Sequence, residues 1–589
     1  MSRIASLISM RFLWIPTSIL FIVAVQAALL WKSCEYSSPT PDEPAHLLAG
    51  IDYWQTGSTH LYNVNPPLTK LWSTLPIVVG QTVDLPRYGS LIWDERDSRS
   101  EFYFGSLFVK QEGERFFEYL LTARRMCAIF AVVGTFGVFC LAAVLLDVKA
   151  AFLAAMIWAF NPITLGHGAI LASDIPGASM GCWAILAAYL SLRETTIHSL
   201  IWTGVLIGLA ILTKFTWLVA IPLWPCAVWA FETFLKRDTA VHCVRGYWSR
   251  QAISVFCVFF VAWVVVCTGY RWQGMLTPLG EFKFVSETLR GENENRFRDT
   301  WMHSLPAALP SDMIRGMDQQ WQDFDKPLWA YLNGQWQKGG WWYYYLCALA
   351  IKLPLGLLLL LAIGVLVSRR NIPLLLIIVC PTLVFLWLVS TKTNMNEHTR
   401  YLWVILPLII VLAASAINAK LLLIRILAVG CGVWTVYAGL VSFPCGLTYG
   451  NELVGSSRNT WRVLAGSNID WSLDWLATKR WLKKTGDTSC VALHGKWLDS
   501  IQGSGLNVSS FVPQSIRDRV HAGEEIVVTL ILPVDSRLTV QRDNGYPTMA
   551  QQLIAEKILC CTEVYRVPIR DIGAIREIVW LDPDAPFFW

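Results

Sequence analysis

Long apolar runs separated by short polar turns make up most of the chain as far as Phe443, and the pattern changes only after it. Runs long enough, or nearly so, to cross a hydrocarbon layer about 30 Å thick cover residues 13–31, 124–146, 151–170, 175–192, 199–213, 215–234, 251–269, 343–367, 372–390, 401–418 and 421–443. The stretch 66–83 reads as a further helix lying in the interface, with Pro66 and Pro67 suited to its first turn. The expected fold is therefore mostly α, with about eleven to thirteen transmembrane helices and interfacial helices in the first outer loop. Arg3 and Arg11 precede the first run, and Lys32-Ser33-Cys34 after it offers no small-x-small cleavage site, so that run reads as a retained signal-anchor helix. Beyond Phe443, Leu473 to Lys484 is amphipathic, while Glu525 to Pro533 and Ile578 to Leu581 read as strands. The pattern predicts a membrane domain over 1–443 and a small α/β domain over 444–589.

Composition confirms the class. Of 589 residues, 54% are hydrophobic and 15% charged, and the mean hydropathy is +0.44, which excludes a water-soluble fold. The net charge of +5 is small and its cations gather in short loops, which excludes a nucleic-acid partner. Those loops contain Lys149, Arg193, Lys236, Arg237, Arg369, Arg370, Lys420 and Arg425, and they fall on one side of the spans, the cytoplasmic side by the positive-inside rule. Residues 32–123, 171–174, 270–342, 391–400 and everything after 443 are then expected on the opposite face of a cell (inner) membrane. The fifteen cysteines show no Cys-x-x-Cys or Cys/His spacing, hence no zinc site; Cys445 and Cys490 could pair in an oxidising compartment. No glycine-rich phosphate loop or nucleophile elbow is present, so nucleotide binding has no support.

Candidate chemistry lies in the non-cytoplasmic loops. Asp42-Glu43 follows Pro39-Thr40-Pro41 and precedes a helix-like stretch; Asp42 could simply cap that helix, but capping explains only one acid of the pair. Asp174 sits between two hydrophobic spans with almost no loop, where it could cap the next helix, yet an acid so near hydrocarbon is costly unless solvated or partnered. Lys214 and Lys352 lie at or near the same face and could snorkel to headgroups or bind a phosphate. Arg400 stands directly before a span and carries a donor fork suited to phosphate, with His398 two residues before it.

Taken in order, Asp42-Glu43, Asn65-Pro66-Pro67-Leu68, Ala123-Arg124-Arg125, Ser173-Asp174-Ile175-Pro176, Gly208 to Lys214, Trp342 to Pro354 and Arg400-Tyr401 resemble the GT-C superfamily. Its relevant members are the polyprenyl-phosphate-sugar-dependent glycosyltransferases, including protein O-mannosyltransferases and lipid A aminoarabinose transferases. The resemblance implies an inverting transfer of one sugar from a dolichyl- or undecaprenyl-phosphate donor to an acceptor hydroxyl of a lipid, glycan or protein on the outer face. It assigns Asp42 as base, Glu43 and Asp174 to substrate orientation or to a divalent ion such as Mg or Mn if one is used, and Arg400, Lys214 and Lys352 to the donor phosphate. Asn65 and His398 fall in the substrate loops. The chain departs from the aminoarabinose type at Asn65, where those enzymes carry a lysine that touches the lipid phosphate. It departs again at Asp470-Trp471-Ser472-Leu473, where many bacterial relatives read Asp-Trp-Gly-Gln. A transporter or flippase of a lipid-linked intermediate is the alternative, although its acids should lie near the midplane and its halves should repeat.

Overall fold

A computed structural model describes residues 14–86, 99–234 and 247–471, apart from 293, 397, 456 and 470, together with short stretches beyond 471. Among these residues, eight helices are long and apolar enough to cross a membrane, and a bent pair, Tyr344–Lys352 with Leu355–Ser368, makes up to nine. Two shorter apolar helices, Val148–Phe160 and Ile197–Thr213, complete a multi-pass, mostly helical membrane protein. Their apolar faces build one large core, with Trp158 and Trp403 fully buried in it.

The loop after the first span is itself helical. Glu43–Thr56 starts with Pro44 in its first turn and stops at Gly57, whose φ of 81° lets its N–H reach the Tyr53 carbonyl. Leu68–Gly80 is the helix expected after Pro66-Pro67. Together with Ser100–Glu112 and the N-terminal end of Glu114–Leu145, these helices enclose a second apolar cluster around Leu47, Phe108 and Phe116. The span expected from 124 therefore begins ten residues earlier, because the apolar face of its first turns packs on this cluster.

Helix Ser311–Asp325 lies across the first loop and is tied there by buried ions. Asp312 accepts from Thr59 Oγ1 and lies 2.6 Å from His60 Nδ1, and Arg99 bridges Glu101 and Asp323 at 2.6 Å each. A hairpin follows, β1 Trp329–Leu332 with β2 Gln335–Lys338, turning at Asn333-Gly334, both at positive φ as a two-residue turn requires.

Several expected spans depart from regular geometry: 151–170 breaks at Asn161, and 3₁₀ turns open 215–234 and 401–418. The run 343–367 is broken, its two helices meeting at 114° where Pro354 cannot continue the ladder. Peptide groups freed at that break find partners in the segment after the last span: Asn451 Nδ2 donates to the carbonyls of Ala350 and Leu353, and its N–H donates to that of Ile351. The run 372–390 contains a π-helical turn at Leu375–Val379.

Residues 444–471 form short 3₁₀ turns packed on the membrane part rather than the beginning of a separate layer. The hairpin leans on them through a hydrogen bond from Asn333 N–H to the Val463 carbonyl. Farther on, four strands make one mixed sheet in the order β3-β4-β6-β5: Cys490–Ala492, Ile526–Pro533, Thr562–Ile569 and Lys557–Leu559, with β3 parallel to β4 and the other pairs antiparallel. The strand expected at 525–533 is β4. The strand expected at 578–581 and most of the helix expected at 473–484 lie outside the described residues. Cys445 is disulfide-bonded, and the Cys490 side chain lies outside the described set.

Candidate active site

Asp42 immediately precedes helix Glu43–Thr56 but makes no side-chain cap. Its Oδ2 instead accepts from Arg400 Nη1 at 2.7 Å. Asp174 occupies the first position of helix Asp174–Arg193, whose cap residue, Ser173, likewise makes no side-chain cap bond, and the Asp174 carboxylate takes the ammonium of Lys214 in a buried ion pair. Capping is thus the role of neither acid. Each is held by a cation from a distant part of the chain.

The two pairs share one site. The Lys214 ammonium lies 5.4 Å from the ring centre of Tyr401, and the Arg400 guanidinium 5.9 Å from the same ring. Burial alone would raise the Asp42 carboxyl, but the Arg400 charge and hydrogen bond outweigh it and hold the group below the usual carboxylate range. Arg400 Nε is buried without a partner, so the guanidinium keeps donor capacity beyond Asp42. Asn65 reaches this site through its Oδ1, which accepts from Ser173 Oγ at 3.2 Å, and His398 flanks Arg400 with Nδ1 2.7 Å from Ser467 Oγ. Burial, then the Arg400 charge, drops His398 to about 3, so its ring is neutral.

Two expected site residues are engaged elsewhere. Glu43 is fully buried, and its oxygens accept from Arg124 Nε at 2.6 Å and Nη2 at 2.5 Å, from Thr40 N–H at 2.7 Å and from Leu171 N–H at 2.8 Å. Arg124 also donates to the carbonyls of Cys34, Ser37 and Ser38. The pair locks the loop carrying Asp42 and fastens it to the turn carrying Asp174, so Glu43 has no oxygen left to orient a substrate. Lys352 is likewise occupied: its three donors go to the carbonyls of Leu447 at 2.8 Å, Tyr449 at 2.7 Å and Asn468 at 2.6 Å. A phosphate role for Lys352 is set aside, since nothing is left on its ammonium to bind one.

Other residues enter the site to which the motifs assigned no role there. His46, one helical turn after Asp42, is buried with Nδ1 unpartnered, packs 4.7 Å from the Tyr62 ring, and is dropped by burial to about 3. Lys70 lies three residues past Pro67; its ammonium is held by the carbonyls of Tyr62 at 2.5 Å and Asn65 at 2.8 Å, and burial drops it to about 7. The loop that has Asn65 in place of a lysine therefore does hold a buried ammonium. Its helical position after Pro-Pro-Leu was the available signal. Trp471 lies with its ring centre 4.3 Å from the Arg400 guanidinium.

One oxygen of each carboxylate of the central pair is taken by a cation, Asp42 Oδ2 by Arg400 and Asp174 Oδ1 by Lys214. Among the described residues no three His, Cys, Asp or Glu groups come together as a metal site.

Residues 116–265 match the family model for dolichyl-phosphate-mannose-protein mannosyltransferase. Over that stretch the GT-C resemblance is borne out. It covers the helix bearing Arg124, the turn bearing Asp174 and the position of Lys214, so the matched segment contains one of the two acid-cation pairs. No curated protein matches the chain. Among solved structures, ArnT from Cupriavidus metallidurans bound to undecaprenyl phosphate is similar at 12% identity and a TM-score of 0.44, covering 95% of this chain and 99% of that one. The archaeal oligosaccharyltransferase AglB from Archaeoglobus fulgidus, in complex with an inhibitory peptide and a dolichol-phosphate, is similar at 13% identity and a TM-score of 0.39, covering 73% of this chain and 56% of that one.

Proposed function

We propose that this chain is an inverting glycosyltransferase that moves a sugar from a polyprenyl phosphate to an acceptor hydroxyl at the non-cytoplasmic face of a cell membrane. The observation that carries the reading is that Asp42 and Asp174 stand at two helix starts, cap neither, and are brought to one aromatic residue, Tyr401, by Arg400 and Lys214. The family match, whose description contains a dolichyl-phosphate sugar, points the same way.

The chemistry asks for two things, and the geometry offers both. An acceptor hydroxyl attacking the anomeric carbon must lose its proton; Asp42, ionised and only partly covered, is the base that takes it. As the new carbon–oxygen bond forms, the bond to the phosphate oxygen breaks and its electron pair leaves on the phosphate. Arg400, with Nε free of partners, supplies positive charge there, and Lys214 is the second cation, held in place by Asp174. Glu43 acts as a positioning residue through Arg124. The small sheet beyond 471 belongs to the same face as the site.

Purified protein supplied with a polyprenyl-phosphate sugar tests the proposal. D42N should lower turnover by about 10²- to 10⁴-fold, and D174N should also lower it. Near-normal transfer in both variants would reject the assignment, as would substrate uptake into sealed vesicles with no glycosidic bond formed.

A further inference from the structure

The segment after the last span ends on the site itself. Trp471 is buried against Ile170, Ala172 and Leu447, so it is wedged beside the turn that leads into Asp174, and its ring lies over the Arg400 guanidinium. The segment is fastened next to Arg400 at a second point. Asn468 Oδ1 accepts from the N–H of Thr399 at 2.9 Å and from its hydroxyl, while Asn468 Nδ2 donates to the Tyr344 hydroxyl at 2.9 Å. Lys352 draws in the carbonyls of Leu447, Tyr449 and Asn468 from below. Backbone and side chain of the Thr399-Arg400 step are thus both held by residues 447–471.

From this we infer that Trp471 is a positioning residue for the transfer: it fixes the plane of the Arg400 guanidinium, and with it the donors left over from Asp42. The inference rests on the phosphate role of Arg400 proposed above. A guanidinium bound to Asp42 through Nη1 alone can still rotate about that contact. An aromatic face 4.3 Å from its centre restricts that rotation and leaves the unpartnered Nε aimed consistently. A leucine in place of Trp471 would keep the position apolar but offer no π face, whereas phenylalanine would keep a face.

W471L should therefore lower kcat/KM for the polyprenyl-phosphate sugar by about 10- to 100-fold, the scale on which misplacing a charge-stabilising group acts, and W471F should recover most of it. In an R400K background, where the cation has no plane to orient, the same W471L change should cost less than about threefold. An equal cost in both backgrounds, or W471F as damaged as W471L, would show that Trp471 only fills space and would overturn the inference. Should W471L not fold, W471M takes its place in the cycle. If the unmodified protein transfers no sugar, the function fails while the inference is still tested: the four variants are compared for binding of undecaprenyl phosphate, where coupling between positions 471 and 400 supports it and additivity overturns it.

Discussion

Asp42 shows how little a single residue says until its partner is known. A carboxylate buried without a cation would titrate above the usual value, about 3.9; beside Arg400 it is held below it. Its ionised form is thus present throughout the neutral range, and the acid limb of kcat/KM should lie below the ordinary carboxylate value. In R400Q the largest influence that lowers the group is gone and burial dominates, so that limb should move to higher pH, as a profile of kcat/KM against pH would show. The same shift is a stability statement. A depressed carboxyl contributes stability that is present above its unfolded value and lost as pH falls through its folded one, so wild type should lose more stability than R400Q on acidification between those values. The acids and cations of this centre were legible because charge beside hydrocarbon is rare and demands a partner. Glu43 and Lys352 were legible as unusual for the same reason, but their partners are largely backbone carbonyls and amides brought in by the fold, which no spacing reveals. His46 carried no such signal, since a histidine near a membrane is ordinary, and Trp471 was marked only by the Asp-Trp pair of the tail, which says nothing of Arg400.

At the scale of elements, two joints hold the loops of the candidate site. The first is Arg124 on helix Glu114–Leu145, whose guanidinium gathers the carbonyls of Cys34, Ser37 and Ser38 and the carboxylate of Glu43. R124M leaves a buried carboxylate alone and should lower stability by about 3–5 kcal/mol, read by thermal unfolding. Adding E43Q should cost less than the sum of the two single changes, because the second removes the orphaned charge. The second joint is the break between Tyr344–Lys352 and Leu355–Ser368, where Asn451 satisfies two carbonyls that no helix can. N451A should cost about 1–3 kcal/mol for each carbonyl left bare, seen in the same measurement. Hydropathy marked this region as one span because it counts apolar residues; Pro354 was the only sign of the break, and the angle depends on what packs against it.

For the whole molecule, the decisive feature is where the membrane unit ends. Hydropathy placed the boundary at Phe443, yet residues 446–471 supply the partners of Lys352, the cap on the break at Pro354 and the ring over Arg400. A chain ending after Trp471 should therefore keep the thermal transition of the membrane part and its sugar transfer, whereas one ending after Phe443 should lose both, by calorimetry and transfer assay. The sequence by itself determined the helical membrane class, most of the spans, the helix after Pro66-Pro67, strand β4, and the acids and cations worth examining, because hydrocarbon thickness and the cost of buried charge act on each segment separately. Only the tertiary structure decided which cation meets which acid, that Glu43 and Lys352 serve the backbone, and that the segment after the last span closes on the site. Those outcomes depend on groups far apart in the chain meeting where water is excluded, and a one-dimensional pattern carries no distance between them.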